Sequence, residues 1–195
     1  DCPIMLEIGA NTGKDTKRFL KSFKKLSLFC FEPDPRCIVE FKKRIADDRC
    51  TLFEVAVSDT EGVAMFYLST GRKKGHCSPH INSSSLLKPT GHMDKFPWCA
   101  FDEEVSVKTI TLDKWADEHL ITDVDFIWAD VQGSEHKLIK GAKEVLKHTK
   151  YFYTEFSDTA LYEGQYNLHS ILAMLPNFKI KTQYETDVLL ENVDY

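Results

Sequence analysis

Apolar and polar positions along this chain follow two periods that take turns. Ile4 to Ile8 is a short apolar run closed by a glycine turn, the pattern of a buried strand. From Thr16 to Phe23 the spacing becomes helical, with Phe19, Leu20 and Phe23 on one face. Leu28 to Phe31 predicts a second strand. Pro35 then opens a helix whose buried side is Ile38, Val39, Phe41 and Ile45. Leu52 to Val57 predicts a third strand, ending in Ser58-Asp59.

Beyond this point the regularity weakens and then returns. Val63 to Leu68 and Val105 to Ile110 alternate like strands that could pair with each other. Between them, from Ser69 to about Glu104, lies a run rich in Gly, Ser, Pro, His and Lys. A long insertion of this kind in a compact domain is usually functional or disordered, and here it is expected to form the acceptor side of a cleft. Leu112 to His119 reads as a short helix, Val124 to Ala129 as a strand, Glu135 to Leu146 as a helix and Tyr151 to Glu155 as a strand. A last helix over Leu168 to Leu175 precedes strands near Phe178 to Thr182 and Val188 to Glu191. Strand and helix in alternation predict an α/β fold, a parallel sheet covered by helices, in one domain over residues 1–195. Asp1 leads almost at once into a strand. This is expected of a domain trimmed at a tag or out of a longer polypeptide.

Charge and cysteines narrow the picture. Thirty acidic residues against 25 basic ones give a net charge of −5, the wrong sign for a sequence-independent grip on nucleic acid. The basic runs at Lys21 to Lys25 and Arg72 to Lys74 read as solvated surface. No apolar stretch is long enough to span a bilayer. The six cysteines form no C-x-x-C pair, so zinc has little support, and a reduced, cytoplasmic protein is expected.

The chemistry centres on Glu7-Ile8-Gly9-Ala10-Asn11-Thr12-Gly13, at a strand-to-helix junction. Glycines there let a ligand approach the backbone, and the following helix points unpaired N–H groups at it. Such a turn could serve NAD, FAD or S-adenosylmethionine. Glu7 favours the last, because a carboxylate repels a pyrophosphate and attracts a sulfonium and an ammonium. The third glycine of the dinucleotide pattern is replaced by Thr16. Glu32 closes the second strand, where an acid can accept both ribose hydroxyls. Ala56, Val57, Ser58 and Asp59 end the third strand, where an adenine edge would be read.

With Phe31-Glu32-Pro33, Ser84-Ser85-Leu86, Thr111-Leu112-Asp113, Asp130-Val131-Gln132-Gly133 with Glu135, and Lys140-Gly141-Ala142, the ordered set resembles the FkbM-type methyltransferases over Ile4 to Glu155. The resemblance implies a Rossmann-like class I methyltransferase fold. Its mostly parallel seven-stranded sheet would carry helices on both faces and a long insertion after the third strand. It also implies O-methylation, often of sugar or polyketide hydroxyls, with S-adenosylmethionine as cofactor. The expected cofactor contacts at the first turn are Glu7, Gly9, Ala10, Asn11, Gly13 and Thr16. Glu32, Ala56, Val57 and Asp130 complete them.

Where the family usually has a second acid this chain has Gln132, so no metal is expected. Asp130, at the end of the fourth strand, is the candidate base or acceptor-orienting group, and Glu155 the second polar contact. His80, Ser84 and Ser85 are the expected substrate contacts, with His76, Ser83, His92 and Trp98 also on the insertion. His119 and His136 are expected to be structural. An NAD-dependent oxidoreductase and a non-catalytic cofactor-binding module are the competing readings.

Overall fold

The computed structural model describes residues 2–72, 74–75 and 80–195. In chain order, β1 (Ile4–Ile8) leads into α1 (Lys14–Ser22), and β2 (Ser27–Phe31) into α2 (Pro35–Arg44). Next come β3 (Cys50–Phe53), β4 (Ala56–Val57), β5 (Gly62–Gly71), α3 (His92–Lys95) and β6 (Cys99–Ile110). The second half runs α4 (Leu112–Glu118), β7 (Val124–Ala129), α5 (Glu135–Lys140), α6 (Lys143–Lys147), β8 (Thr149–Glu155), α7 (Leu168–Ala173), β9 (Phe178–Gln183) and β10 (Asp187–Asn192).

Seven strands form the main sheet in the order β3-β2-β1-β7-β8-β10-β9. Its first five members are parallel, and β10 runs antiparallel to both its neighbours. The order reverses between β1 and β7. At such a switch point the connections diverge and leave a crevice at the carboxyl ends of the strands. Alternation along each strand feeds two cores. Leu6, Ile8, Ile127 and Phe152 face α4 to α7, with Trp115 of α4 fully buried among Phe29, Phe31 and Phe53. Met5, Leu28 and Cys30 face α1 and α2 on the other side. No helix among the described residues is long and apolar enough to cross a membrane.

The α/β architecture is as expected, and several local expectations are corrected. Val39 is 52% exposed, because Cys37, Ile38 and Phe41 already fill the inward stripe of α2 and Val39 lies a further 100° or so round the helix. Phe23 is equally exposed: α1 ends at Ser22, and Phe23 turns extended while its N–H still donates to the Phe19 carbonyl. The strand expected over Leu52 to Val57 is two strands. After Phe53 the chain leaves the main sheet, and Ala56 and Val57 pair with Thr109 and Ile110 in a second sheet of order β4-β6-β5. The helix expected over Glu135 to Leu146 breaks at Gly141-Ala142 into α5 and α6. The insertion is shorter than its composition suggests, since β5 continues to Gly71 and β6 begins at Cys99. His76 and Cys77 lie outside the described residues.

Candidate active site

The carboxyl ends of β1, β2 and β7 are pinned to one another by backbone bonds. The Gly9 and Ala10 N–H groups both donate to the Phe31 carbonyl, at 2.9 and 3.0 Å, and Asp130 N–H donates to Ile8 at 2.9 Å. Gly9 has φ +89°, and a Cβ there would fall on the Asp130 carbonyl oxygen, so only glycine lets the two strand ends meet. Asn11 follows in the left-handed region, φ +48°. Its side-chain oxygen accepts the Thr12 N–H at 2.8 Å and its amide reaches the Ile81 carbonyl at 3.3 Å. These contacts shape a solvent-open cleft at the carboxyl ends of the strands.

Buried acids line it. Glu7 is 1% exposed, accepts from the Thr16 hydroxyl at 2.6 Å and faces the Cys30 thiol at 3.3 Å. Burial pushes it up to about 7, and the Thr16 hydrogen bond opposes the rise. Glu32, also buried, accepts Asp34 N–H on one oxygen and Asn11 N–H on the other, each at 2.7 Å. Its burial raises it to about 8 against those two bonds. Glu135, beneath the turn after β7, accepts Gly133 N–H at 3.2 Å and is raised to about 7 by burial.

Where β7 and β8 end side by side, Gln132 joins two more carboxyls. Its Nε2 donates to Asp130 Oδ1 at 2.6 Å and to Glu155 Oε2 at 2.8 Å. Burial and then the neighbouring Asp130 carboxylate push Glu155 up to about 9. Burial raises Asp130 as well, while its bonds to Gln132 and Glu155 hold it down. Asp130 keeps an exposed surface open to the cleft and Glu155 is half-buried, so water screens Asp130 more and the proton the pair retains sits on Glu155. None of Glu7, Glu32, Asp130, Glu135 and Glu155 forms an ion pair among the described residues.

The residues singled out in the sequence fall into three places. Glu7, Gly9, Ala10, Asn11, Glu32, Ala56, Val57, Asp130 and Ser84 line the cleft. Behind its wall, Thr16 is fully buried on Glu7, and a Cβ on Gly13 would meet the side chains of Phe41 and Ile45. These two shape the wall. Ser85 is likewise buried, donating to the Gln132 carbonyl at 2.8 Å and accepting Leu87 N–H at 3.0 Å. His80 is set back from the lining, with Nε2 2.9 Å from Ser83 Oγ and its ring edge-on to Trp98.

His92 is not a solvated loop histidine. It is 2% exposed, packed against Phe96, Phe101 and Tyr162, and burial lowers it to about 4, so it stays neutral. His136 stacks on Tyr166 and His119 on Trp115. Sequence reasoning missed Lys14, the one cation among the described residues lining the cleft, and Tyr162, whose hydroxyl reaches Ser83 O at 2.8 Å and Gln132 Oε1 at 3.2 Å. Lys14 was findable as the first residue of the helix after the glycine turn. Tyr162 lies 30 residues from Gln132 and carried no local signal.

The family model described as Methyltransferase FkbM domain matches residues 7–184. The chain belongs to the FkbM methyltransferase family. A relative, the 2-O-methyltransferase NoeI of Sinorhizobium fredii (strain NBRC 101917 / NGR234), is 44% identical over 97% of this chain and 79% of its own length. Among solved structures, the Methanococcus jannaschii fibrillarin pre-rRNA processing protein superposes with a TM-score of 0.54 at 13% identity, over 99% of this chain and 67% of that one. The human methyltransferase 10 domain containing protein gives 0.50 at 10% identity, over 100% of this chain and 73% of that one. These likenesses bear on the fold alone. This FkbM protein is an S-adenosylmethionine-dependent methyltransferase, which sets aside the oxidoreductase reading.

The residues present fit that cofactor. Buried carboxylates without cationic partners suit a sulfonium and an ammonium. Each Glu32 oxygen accepts one amide N–H and keeps a lone pair for a ribose hydroxyl. Among the described residues no group of three or more His, Cys, Asp and Glu could hold a metal ion.

Proposed function

We propose that this FkbM methyltransferase methylates a hydroxyl group of a sugar or glycan. The observation that carries the reading is the Asp130 carboxylate, open to the cleft at the end of β7 and touching the glycine turn through its own backbone. Asp130 would accept the proton of the acceptor hydroxyl as that oxygen becomes methylated. When bound, S-adenosylmethionine supplies a methyl group on a good leaving group, so the protein's task is alignment and proton removal. Glu155, holding its proton, keeps Asp130 the base of the pair. Gly9, Ala10 and Asn11 would hold the cofactor's methionine end, Lys14 its carboxylate, Glu32 its ribose, and Ala56 and Val57 its adenine.

Transfer to oxygen is supported by the relative named a 2-O-methyltransferase. The hydrogen-bonding set Asp130–Gln132–Glu155 suits a polyhydroxylated acceptor. The net charge of −5 and the acid-lined cleft favour an uncharged acceptor over nucleic acid. A cytoplasmic setting belongs to the same proposal.

The test is to incubate the protein with S-adenosylmethionine and a panel of methyl glycosides and read the products by mass spectrometry. A methylated glycoside with stoichiometric S-adenosylhomocysteine is expected. Cofactor binding with no product on any hydroxylated acceptor would favour a non-catalytic binding module instead.

A further inference from the structure

Gln132 occupies the position where an acid stood expected, and its surroundings are unusually constrained. Its backbone is left-handed, φ +52°, a conformation a long side chain adopts only when tertiary contacts hold it. Four contacts do so. The Gln132 carbonyl accepts the Ser85 hydroxyl, its Oε1 faces the Tyr162 hydroxyl at 3.2 Å, and both hydrogens of Nε2 are engaged by Asp130 and Glu155. The Tyr162 hydroxyl gives its shorter bond to the Ser83 carbonyl, at 2.8 Å, so the two acids set which end of the amide points where. A carboxylate at 132 could not take this place, because an ionised acid only accepts hydrogen bonds.

We propose that Gln132 is a positioning residue of the transfer reaction: its side-chain amide clamps the Asp130 and Glu155 carboxyls into one unit and aims Asp130 at the acceptor hydroxyl. The proposal rests on the reading of Asp130 as base. Two carboxyls this close ionise in separate steps, and the Gln132 bond favours the ionised form of Asp130, so the proton of the pair stays on Glu155. The groups facing that pair are acidic or phenolic: Glu135 from the start of α5, Asp187 opposite Glu155 on β10, Glu32 at the end of β2, Asp15 on α1, and Tyr153 and Tyr162. With no cation paired to either carboxyl among the described residues, the neutral amide is their one shared donor.

The experiment is a carboxyl NMR titration of free protein carrying ¹³C-labelled Asp and Glu, with Asp130→Asn and Glu155→Gln identifying the two signals. In the parent protein, Asp130→Asn should lower the Glu155 midpoint by about one pH unit or more, because the Asp130 carboxylate holds it up. Gln132→Asn tolerates the left-handed backbone but is one methylene too short to reach both partners, and should cut that coupling to less than half. Unchanged coupling in Gln132→Asn would overturn the clamp. If that variant does not fold, Tyr162→Phe, which removes the hydroxyl facing the amide while keeping the ring, should give the same weakening in milder form, and unchanged coupling there overturns the clamp equally.

Turnover gives the second readout. Gln132→Glu should lose activity more severely at pH 8 than at pH 6, because its added acid can donate only while protonated. Equal fold-losses at both pH values would reduce Gln132 to packing. Failure to methylate any glycoside would sink the acceptor reading alone, since the titration needs no acceptor and still decides on Gln132.

Discussion

The two halves of the cleft are built by different means. The half proposed for the cofactor is built around one turn: Gly9, Ala10 and Asn11 sit on it, and Glu32 is fixed by the backbone of that turn and of its own loop. The half proposed for the acceptor is assembled from distant segments. Asp130 and Gln132 follow β7, Glu155 ends β8, and Tyr162 lies beyond it. The first half depends on backbone shape, which local sequence dictates. The second depends on side chains meeting across the fold, so single substitutions should separate them cleanly.

The largest effect expected on the cofactor side is that of Glu32→Ala. Loss of bonds from a buried charged group should weaken S-adenosylmethionine binding by about 1.5–3 kcal/mol. The Asn11 and Asp34 N–H groups lose their acceptor too, so the melting temperature should fall. Titration calorimetry and thermal unfolding read both changes, and unchanged affinity would remove the ribose assignment.

Lys14→Ala should act more mildly, by about two- to tenfold, the range of a partly exposed charged contact. The sharper reading comes from a pair of ligands. S-adenosylhomocysteine carries the carboxylate and methylthioadenosine does not, so only the former should bind Lys14→Ala more weakly. Equal losses for both would place Lys14 elsewhere.

The smallest effect is a slope in pH. Glu7 is raised by burial to about 7 from a usual value near 4.5, so the folded protein holds its proton more tightly than the unfolded chain. Its contribution is fully present below pH 4.5 and is lost as pH rises through about 7. Glu7→Gln should flatten that part of the stability profile measured by denaturant unfolding. Bound S-adenosylmethionine, whose positive charge favours the ionised acid, should stabilise the parent protein increasingly over the same window. A parent profile that rises from pH 4.5 to 7, with no difference in Glu7→Gln, would contradict the burial account.

The contrast between the halves also explains what could be read from sequence. The order of strands and helices, and the glycine turn with Glu7 and Glu32, follow from local periodicity and motif spacing, and the structure has them where they were expected. Val39 misled because its helix offers more apolar positions than its inward stripe needs. Leu52 to Val57 misled because an apolar run broken only by Glu54 does not reveal that its two ends pair in different sheets. Thr16 and Ser85 carry motif-like spacing, yet their hydroxyls support other groups from behind the cleft wall. Tyr162 and the amide clamp of Gln132 arise only from long-range packing.

The most direct test of this division of labour is one variant measured twice. Asp130→Asn keeps the size of the side chain but cannot take a proton near neutral pH. With S-adenosylmethionine and an accepted glycoside, its kcat should fall by about a hundredfold or more, the usual worth of general-base assistance. Its dissociation constant for S-adenosylmethionine should change far less. The opposite result, near-normal turnover at saturation with strongly weakened cofactor binding, would place Asp130 in the cofactor half and contradict the account.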